Sequence, residues 1–193
     1  MRAAILQLNA SDKPLENLSH ILTMVRQAAS DGAEFVLTPE VSNCLSISRA
    51  HQNEVLCHQE DDQTLAELCN LARELYISIS IGSLALKTDD ADGRFANRSF
   101  LINRLGEVVG QYDKIHMFDV QISKTETYRE SAGYRPGEKA VVADTVLGKV
   151  GMAICYDMRF PLLSYALAQA GAETLLYPAA FSPITGAAHW HSL

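Results

Sequence analysis

The fold is indicated first by residues 150–161, which read VGMAICYDMRFP. An apolar run ends at Cys155, and the Phe160-Pro161 step then favours the start of a helix. Open α/β sheets place their ligands at the carboxyl ends of strands. The positive end of a helix dipole favours the thiolate form of a nearby cysteine. The sequence therefore predicts that Cys155 is a nucleophile held at a strand–helix junction, with its thiolate stabilised there.

Strand and helix patterns alternate on both sides of this stretch. The predicted strands are Arg2–Leu8, Phe35–Leu37, Ile77–Ile81, Phe100–Ile102, Val108–Tyr112, Ala140–Ala143 and Lys149–Ile154. Helices are predicted after a cap at Ser11 or Asp12, after a cap at Thr64, and over Pro161–Ala170. This order predicts an α/β fold with a mixed sheet whose helices lie on one face. Its other face must pack on something else, and a second sheet is the candidate.

Two segments of the chain resemble one another. Residues 32–39 read GAEFVLTP, and residues 171–178 read GAETLLYP. Each has a glycine that ends a helix, a buried strand and a proline. Ordinary αβ-loop chemistry would produce this likeness, and so would an α/β fold with pseudo-twofold symmetry.

Length and composition predict one globular domain over residues 1–193. The chain has 48% hydrophobic and 20% charged residues, which is ordinary for such a domain. Its net charge is −7 and it has no basic run, which argues against nucleic acid and anionic membranes as partners. We see no secretory leader and no apolar run of the ~18 residues that a membrane helix requires.

The cysteines indicate a reducing environment. They are Cys44, Cys57, Cys69 and Cys155. No two form a CxxC pair, and none has metal-ligand spacing to a histidine, so we predict no metal site. A cytoplasmic location is the simplest interpretation. Cys69 falls in a predicted helix and is expected to serve packing.

Three further residues follow strands or lie in polar loops where they could assist a nucleophile. Glu40 follows the strand 35–37, Lys114 follows the strand 108–112, and Glu130 lies in the polar loop 127–131. With Cys155 they would supply a nucleophile, a cation and a base. A thiol with a histidine base is a minor alternative, for which His116 is the best placed histidine.

The motifs together resemble the nitrilase superfamily of carbon–nitrogen hydrolases. The resemblance covers nearly the whole chain and lies closest to the amidase branch that includes deaminated glutathione amidase and ω-amidase. It rests on these stretches: TPE (38–40), YDKIHMFD (112–119), RES (129–131) with Pro136-Gly137, GMAICYDMRFP (151–161), and Thr185-Gly186 with His189-Trp190.

The resemblance implies a fold and a catalytic set. The fold would be an α-β-β-α sandwich, and protomers would pair through their helices into homodimers. The catalytic triad would be Glu40, Lys114 and Cys155, with Glu130 as the second glutamate, and no metal or organic cofactor is implied. Family members continue for many tens of residues past the histidine-tryptophan step, so we expect the sandwich to be incomplete at the carboxyl end. A truncated, non-catalytic relative that binds a partner is the competing interpretation.

The resemblance also implies a reaction. Cys155 would attack a primary amide and release ammonia from a thioester intermediate. Glu40 would move the protons, while Lys114 and the backbone N–H of Tyr156 would stabilise the oxyanion. Glu130 would orient Lys114 or the substrate nitrogen.

Substrate specificity follows from residues beyond the nucleophile. The resemblance implies that Arg159, with Phe181 and Thr185, contacts a substrate carboxylate, which predicts a small carboxylate bearing an amide as the substrate. The alternative for Arg159 is a structural ion pair with Asp157 or Glu173.

Overall fold

The protein is described by a computed structural model over residues 2–121, 124, 127–146, 148–181, 186, 187, 190 and 192. The helices are α1 (Pro14–Ser30), α2 (Arg49–Val55), α3 (Gln63–Leu75) and α4 (Pro161–Gln169). The strands are β1 (Ala3–Ile5), β2 (Phe35–Leu37), β3 (Ser78–Leu86), β4 (Ala96–Ile102), β5 (Val108–Asp113), β6 (Asp119–Gln121), β7 (Thr127–Arg129), β8 (Val141–Thr145), β9 (Gly148–Met152) and β10 (Thr174–Leu176). Short 3-10 turns span Gln59–Asp61, Glu130–Ala132 and Cys155–Arg159.

The strands form two larger sheets and one small hairpin. The first sheet has the order β1-β2-β3-β4-β5, the second has the order β10-β9-β8, and β6 pairs with β7. In the first sheet β1, β2 and β3 are parallel, whereas β4 and β5 are antiparallel to their neighbours. The mixed sheet predicted from the sequence is therefore confirmed.

Helices α1 and α3 cover one face of the first sheet. Their apolar faces recur at helical spacing, as the sequence predicts, and pack on the inward side chains of β3. The buried contacts include Ile21, Val25, Leu68, Leu71, Ile79 and Ile81. Cys69 packs at the margin of this core, in agreement with the packing role expected for it. Within the described residues, no helix has the length and apolar character needed to cross a membrane.

The other face of the first sheet packs on the second sheet. The close approach is made at Gly110 in β5, where a Cβ would lie 2.9 Å from the Ala143 side chain and 3.1 Å from Met152 Sδ. On the far side of the second sheet, Leu163 and Leu167 of α4 are buried against the core. The layers are therefore helix, sheet, sheet and helix, as the α-β-β-α expectation requires.

The two similar segments occupy corresponding places in the two sheets. Gly32 and Gly171 end their helices with φ of 85° and 93°, and each precedes a parallel strand, β2 or β10. The ends of both strands meet at Gly82, where a Cβ would lie 2.0 Å from Thr38 O and 2.6 Å from Pro178 Cβ. This arrangement across two sheets favours the pseudo-symmetric interpretation of the repeat.

The predicted helix caps are wrong at both early helices. At α3 the Asp62 carboxylate accepts from Leu65 N at 2.8 Å, whereas Thr64 lies inside the helix and is buried. At α1 the cap position is Lys13, which makes no side-chain cap bond. Ser11 instead donates its backbone N–H to Asn17 Oδ1 at 2.9 Å. A cap depends on which side chain reaches the free N–H groups, and several polar residues compete for that place.

Candidate active site

The four polar residues singled out in the sequence converge at the carboxyl ends of strands from both sheets. Glu40 follows β2, Lys114 follows β5 and Cys155 follows β9, while Glu130 begins a 3-10 turn after β7. Lys114 Nζ lies 2.8 Å from Glu40 Oε1 and 3.0 and 2.9 Å from the two Glu130 oxygens. Lys114 is only 2% exposed and Glu40 only 7%. Two acids and a cation therefore share one buried site.

A strained turn presents Glu40. Val41, directly after it, has φ of 45°, a left-handed conformation that is unfavourable for a β-branched residue. The turn is held by Ser83, whose Oγ accepts from Val41 N at 2.7 Å and whose O accepts from Ser42 N at 2.9 Å. Ser42 Oγ also donates to Thr38 Oγ1 at 2.9 Å. The surrounding hydrogen bonds therefore keep the Glu40 carboxylate aimed into the site.

A second strained turn presents Cys155, which has φ of 47°. Its backbone N–H donates to Pro178 O at 2.9 Å, so the segment that follows β10 helps to hold the turn. Such left-handed residues cost on the order of 1–3 kcal/mol and persist where surrounding contacts impose them. The helix predicted over Pro161–Ala170 is α4 (Pro161–Gln169), and a 3-10 turn over Cys155–Arg159, which was not predicted, comes before it.

The buried carboxylate of Asp157 joins the Cys155 turn to the Lys114 segment. Its Oδ2 accepts from Tyr112 OH at 2.7 Å and from Ile154 N at 2.8 Å. Its Oδ1 accepts from His116 N at 3.0 Å and lies 2.7 Å from His116 Nδ1. Tyr112 and His116 flank Lys114, so one carboxylate sets where the lysine lies relative to the thiol. Sequence analysis considers Asp157 only as a possible ion-pair partner of Arg159 and does not predict this role.

Asp157→Asn is expected to slow turnover about 10²-fold while leaving KM within a few fold, because a misplacement near 1 Å has that effect on rate. The asparagine N–H groups would face donors that now find an acceptor. Steady-state kinetics with Tyr112→Phe beside it tests this, since that variant removes only one of the four contacts and should lose less. Equal losses in kcat for both variants would contradict the positioning role.

Glu130 is held in place from two directions. Phe118 N donates to its Oε2 at 2.6 Å. The next residue, Ser131, donates its N–H and Oγ to the Asp119 carboxylate at 3.0 and 2.5 Å. Glu130 contacts Lys114 through both oxygens. Of its two expected roles, the geometry favours orientation of Lys114.

The pKa of the Cys155 thiol is raised rather than lowered, which favours the neutral thiol over the stabilised thiolate that was expected. Burial raises the pKa of Cys155, and the adjacent Glu40 carboxylate raises it further, whereas Lys114 lowers it. The charge of Lys114 is shared between two carboxylates, so it does not offset both effects. Cys155 therefore needs a base to remove its proton during attack, and Glu40 lies within hydrogen-bond reach of it.

Lys114 remains a cation. Burial disfavours its charged form, but the carboxylates of Glu40 and Glu130 outweigh burial and raise its pKa above the usual value near 10.5. The Lys114 ammonium contacts three carboxylate oxygens, so it supplies positive charge beside the thiol and must share one of its three donors with a further oxygen. Among the described residues no acceptor contacts the backbone N–H of Tyr156. Lys114 and Tyr156 thus offer two donors beside the thiol, the arrangement that stabilises an oxyanion.

Asn97 and Ala180 complete the site, and sequence analysis missed both. Asn97 Nδ2 donates to Glu40 Oε1 at 2.9 Å and to Glu130 Oε1 at 3.2 Å. Ala180 N donates to Glu40 Oε2 at 3.0 Å. Asn97 begins the polar run Asn97-Arg98-Ser99 of β4, and the predicted strand began later, at Phe100. A backbone donor such as Ala180 leaves no signal in side-chain patterns.

The predicted substrate-binding residues are only partly placed. Tyr156 makes edge contacts with Phe118 at 5.1 Å and Phe160 at 5.4 Å, measured between ring centroids. Phe181 follows Ala180 and packs edge-on against Trp190 at 4.9 Å. Thr185 lies outside the described residues. The rings of Phe118, Tyr156 and Phe160 thus form an aromatic wall around the residue that follows the nucleophile.

Two alternatives from the sequence find no support. Arg159 is exposed and makes no ion pair with a described carboxylate. The two expected partners have other contacts: Asp157 accepts from Tyr112 and His116, and Glu173 Oε1 lies 3.5 Å from Lys149 N. His116 Nδ1 contacts Asp157 and its ring stacks on Phe160 with ring centroids 3.6 Å apart, whereas the group within hydrogen-bond reach of the thiol is the Glu40 carboxylate.

Comparison with known proteins identifies the family to which this chain is similar. The carbon–nitrogen hydrolase family model matches residues 2–193. Deaminated glutathione amidase of Yersinia enterocolitica is 40% identical over 192 residues, covering 98% of this chain and 66% of that protein. Omega-amidase NIT3 of Saccharomyces cerevisiae is 35% identical over 199 residues, covering 100% of this chain and 68% of that protein. This chain thus spans about two thirds of the length of these curated relatives.

The fold of this chain also matches that of a solved structure. The crystal structure of the NitFhit protein of C. elegans superimposes with a TM-score of 0.90 at 29% sequence identity, covering 98% of this chain and 46% of that one. The α-β-β-α fold expected from the resemblance is therefore confirmed. Family model, relatives and fold agree, and the chain belongs to the carbon–nitrogen hydrolase family.

Proposed function

We propose that the protein is an amidase that hydrolyses a primary amide through a Cys155 thioester. The observation that carries this proposal is the buried contact of Lys114 with Glu40 and Glu130 beside a neutral thiol. A neutral thiol with an adjacent carboxylate base has the parts of an activated nucleophile. The names of the relatives, deaminated glutathione amidase and omega-amidase, support the same reaction class.

The first half of the reaction forms the acyl-enzyme. Glu40 takes the thiol proton as Cys155 Sγ bonds to the amide carbon, and the carbonyl oxygen becomes an oxyanion. Lys114 Nζ and the backbone N–H of Tyr156 donate to that oxyanion. The C–N bond then breaks as Glu40 returns its proton to the nitrogen, so ammonia leaves and a thioester remains.

The second half releases the acid. Glu40 takes a proton from a water molecule, whose oxygen bonds to the thioester carbon. The C–S bond breaks and the sulfur regains a proton from Glu40. One amide and one water thus give one carboxylic acid and one ammonia, and the protein returns to its starting state. Glu130 keeps the Lys114 ammonium in place through both halves.

We propose a small carboxylate that bears an amide as the substrate. Arg159 lies four residues after the nucleophile in the same 3-10 turn and has no described ion-pair partner. A free guanidinium recognises a carboxylate by two parallel hydrogen bonds. Phe181 and the aromatic wall around Tyr156 would hold the apolar part of the substrate, and Thr185 is proposed as a further polar contact.

We also propose that the protein works in the cytoplasm. All four cysteines are free thiols, and Cys57 is exposed. Free thiols persist in reducing compartments, where disulfides are rare.

Ammonia release tests the proposed function directly. The purified protein would be incubated with α-ketoglutaramate or deaminated glutathione, and ammonia would be measured over time. Release together with the matching carboxylic acid is the expected result. A folded protein that releases no ammonia from these and other small amides, while its thiol reacts normally with an alkylating agent, would overturn the proposal.

Arg159→Ala is expected to raise KM for a carboxylate-bearing amide about 10-fold or more with little change in kcat, because a hydrogen bond to a charged group contributes about 1.5–3 kcal/mol. A short neutral amide serves as the matched control, and its KM should stay the same. An unchanged KM for the carboxylate substrate would show that Arg159 does not bind it.

A further inference from the structure

Asn97 lies between the two carboxylates of the site on strand β4. It is 2% exposed, and its backbone O accepts from Lys114 N at 2.9 Å. Its side-chain Nδ2 donates to Glu40 Oε1 at 2.9 Å and to Glu130 Oε1 at 3.2 Å. One amide group therefore contacts both acids and lies beside the cation.

The same two oxygens also accept from Lys114. Its Nζ lies 2.8 Å from Glu40 Oε1 and 3.0 Å from Glu130 Oε1. Each of these oxygens thus receives one charged donor and one neutral donor. Two like charges held this close repel each other, and the asparagine donor reduces that repulsion without adding a second cation.

The orientation of the Asn97 amide is imposed by the carboxylates. Its Oδ1 is buried and has no partner among the described residues, an arrangement that proteins usually avoid. A flipped amide would place Oδ1 against two carboxylate oxygens instead. The unpaired oxygen is therefore the consequence of aiming Nδ2 at both acids. Departures from the rule that buried polar atoms are hydrogen-bonded are found chiefly at functional sites.

We propose that Asn97 is a positioning residue that keeps Glu40 ionised and turned toward the thiol. Glu40 Oε1 accepts from Asn97 and Lys114, so both of its lone pairs are already engaged and it is not the oxygen that takes the thiol proton. Glu40 Oε2 accepts from Ala180 N at 3.0 Å, and within the described part of the chain it retains the capacity to take that proton. This inference rests on the proposed function of Glu40 as the base for Cys155.

The test compares Asn97→Ala and Asn97→Asp with wild-type protein over a range of pH. Losing a donor to a carboxylate favours its protonated form, and a third carboxylate favours it more. The acidic limb of kcat/KM should therefore move to higher pH in the alanine variant, by about one pH unit. It should move further in the aspartate variant. We expect kcat to fall about 10–100-fold with KM nearly constant, because the interaction acts on the reacting groups.

A second readout needs no substrate turnover. The rate at which iodoacetamide alkylates Cys155, plotted against pH, should show an acidic limb that is shifted to higher pH in both variants. Ser99→Ala is the matched control, because Ser99 is a buried polar residue on the same strand whose Oγ donates to Ile81 O at 2.9 Å, away from the acids. Its pH profile should match that of the wild type.

The outcomes separate this inference from the proposed function. A displaced alkylation limb in protein that releases no ammonia would support Asn97 and overturn the amidase reaction. Ammonia release with an acidic limb at the wild-type pH in both variants would overturn the role of Asn97. A fall in activity that follows the folded fraction alone, at every pH, would show that Asn97 only supports the fold.

Discussion

Cys155→Ala is expected to reduce ammonia release by about four orders of magnitude or more, the scale seen when a nucleophile is removed from a site whose residues act as a unit. The reason is that no other described thiol shares the site with Glu40 and Lys114. Glu40 would still be present, but water lacks the position and nucleophilicity of the sulfur. The measurement is single-turnover and steady-state ammonia release, with the acyl-enzyme followed by intact-protein mass.

The control for this experiment is Cys57→Ala. Cys57 is an exposed thiol between α2 and the 3-10 turn at Gln59–Asp61, so its loss should leave the rate unchanged. The Cys155→Ala variant should unfold within about 1 kcal/mol of the wild type, since alanine retains the same backbone conformation. Wild-type ammonia release from folded Cys155→Ala protein would exclude the thioester pathway.

Lys114→Met is expected to lose both activity and stability. Removing one partner of a buried ion pair costs about 3–5 kcal/mol, because it leaves uncompensated charge. Here the residual charges are the carboxylates of Glu40 and Glu130, which share that one cation. Turnover should fall on the order of 10²–10³-fold from the loss of an oxyanion donor. Urea unfolding and steady-state kinetics measure the two losses separately.

The stability loss in Lys114→Met should depend on pH. Without the cation, repulsion favours the protonated form of one carboxylate in the folded state. A group whose folded pKa is raised stabilises the fold below its unfolded pKa and loses that contribution as the pH rises through the folded value. The free energy of unfolding of the variant should therefore be closest to that of the wild type near pH 5, just above the usual glutamate pKa, and furthest below it near pH 8.

The wild type should lack this dependence at neutral pH. The raised pKa of Lys114 means that its contribution to stability is complete below about 10.5 and is lost only as the pH rises through the higher folded value. Lys139→Met is the control, because Lys139 is exposed and should have little effect. If Lys114→Met unfolds like the wild type at pH 8, the buried ion pair does not support the fold.

Local patterns in the sequence were sufficient to place three of the site residues on the right elements. Glu40, Lys114 and Cys155 each follow a strand that apolar or β-branched residues predict, and the structure has β2, β5 and β9 there. The strands on either side of residues 103–107 and the helix that begins at Pro161 were predicted for the same reason. These features depend on neighbours within a few residues, so a single sequence contains the information.

The tertiary structure decided what state those residues are in and what holds them. Asn97 reaches Glu40 across 57 positions in the sequence, and Asp157 reaches Tyr112 across 45. Spacing along the chain cannot reveal such contacts. The neutral thiol was missed for the same reason, because its pKa depends on burial and on the Glu40 carboxylate beside it. The sequence determined which groups are presented at the strand ends, and packing of the two sheets determined their distances, their charges and their partners.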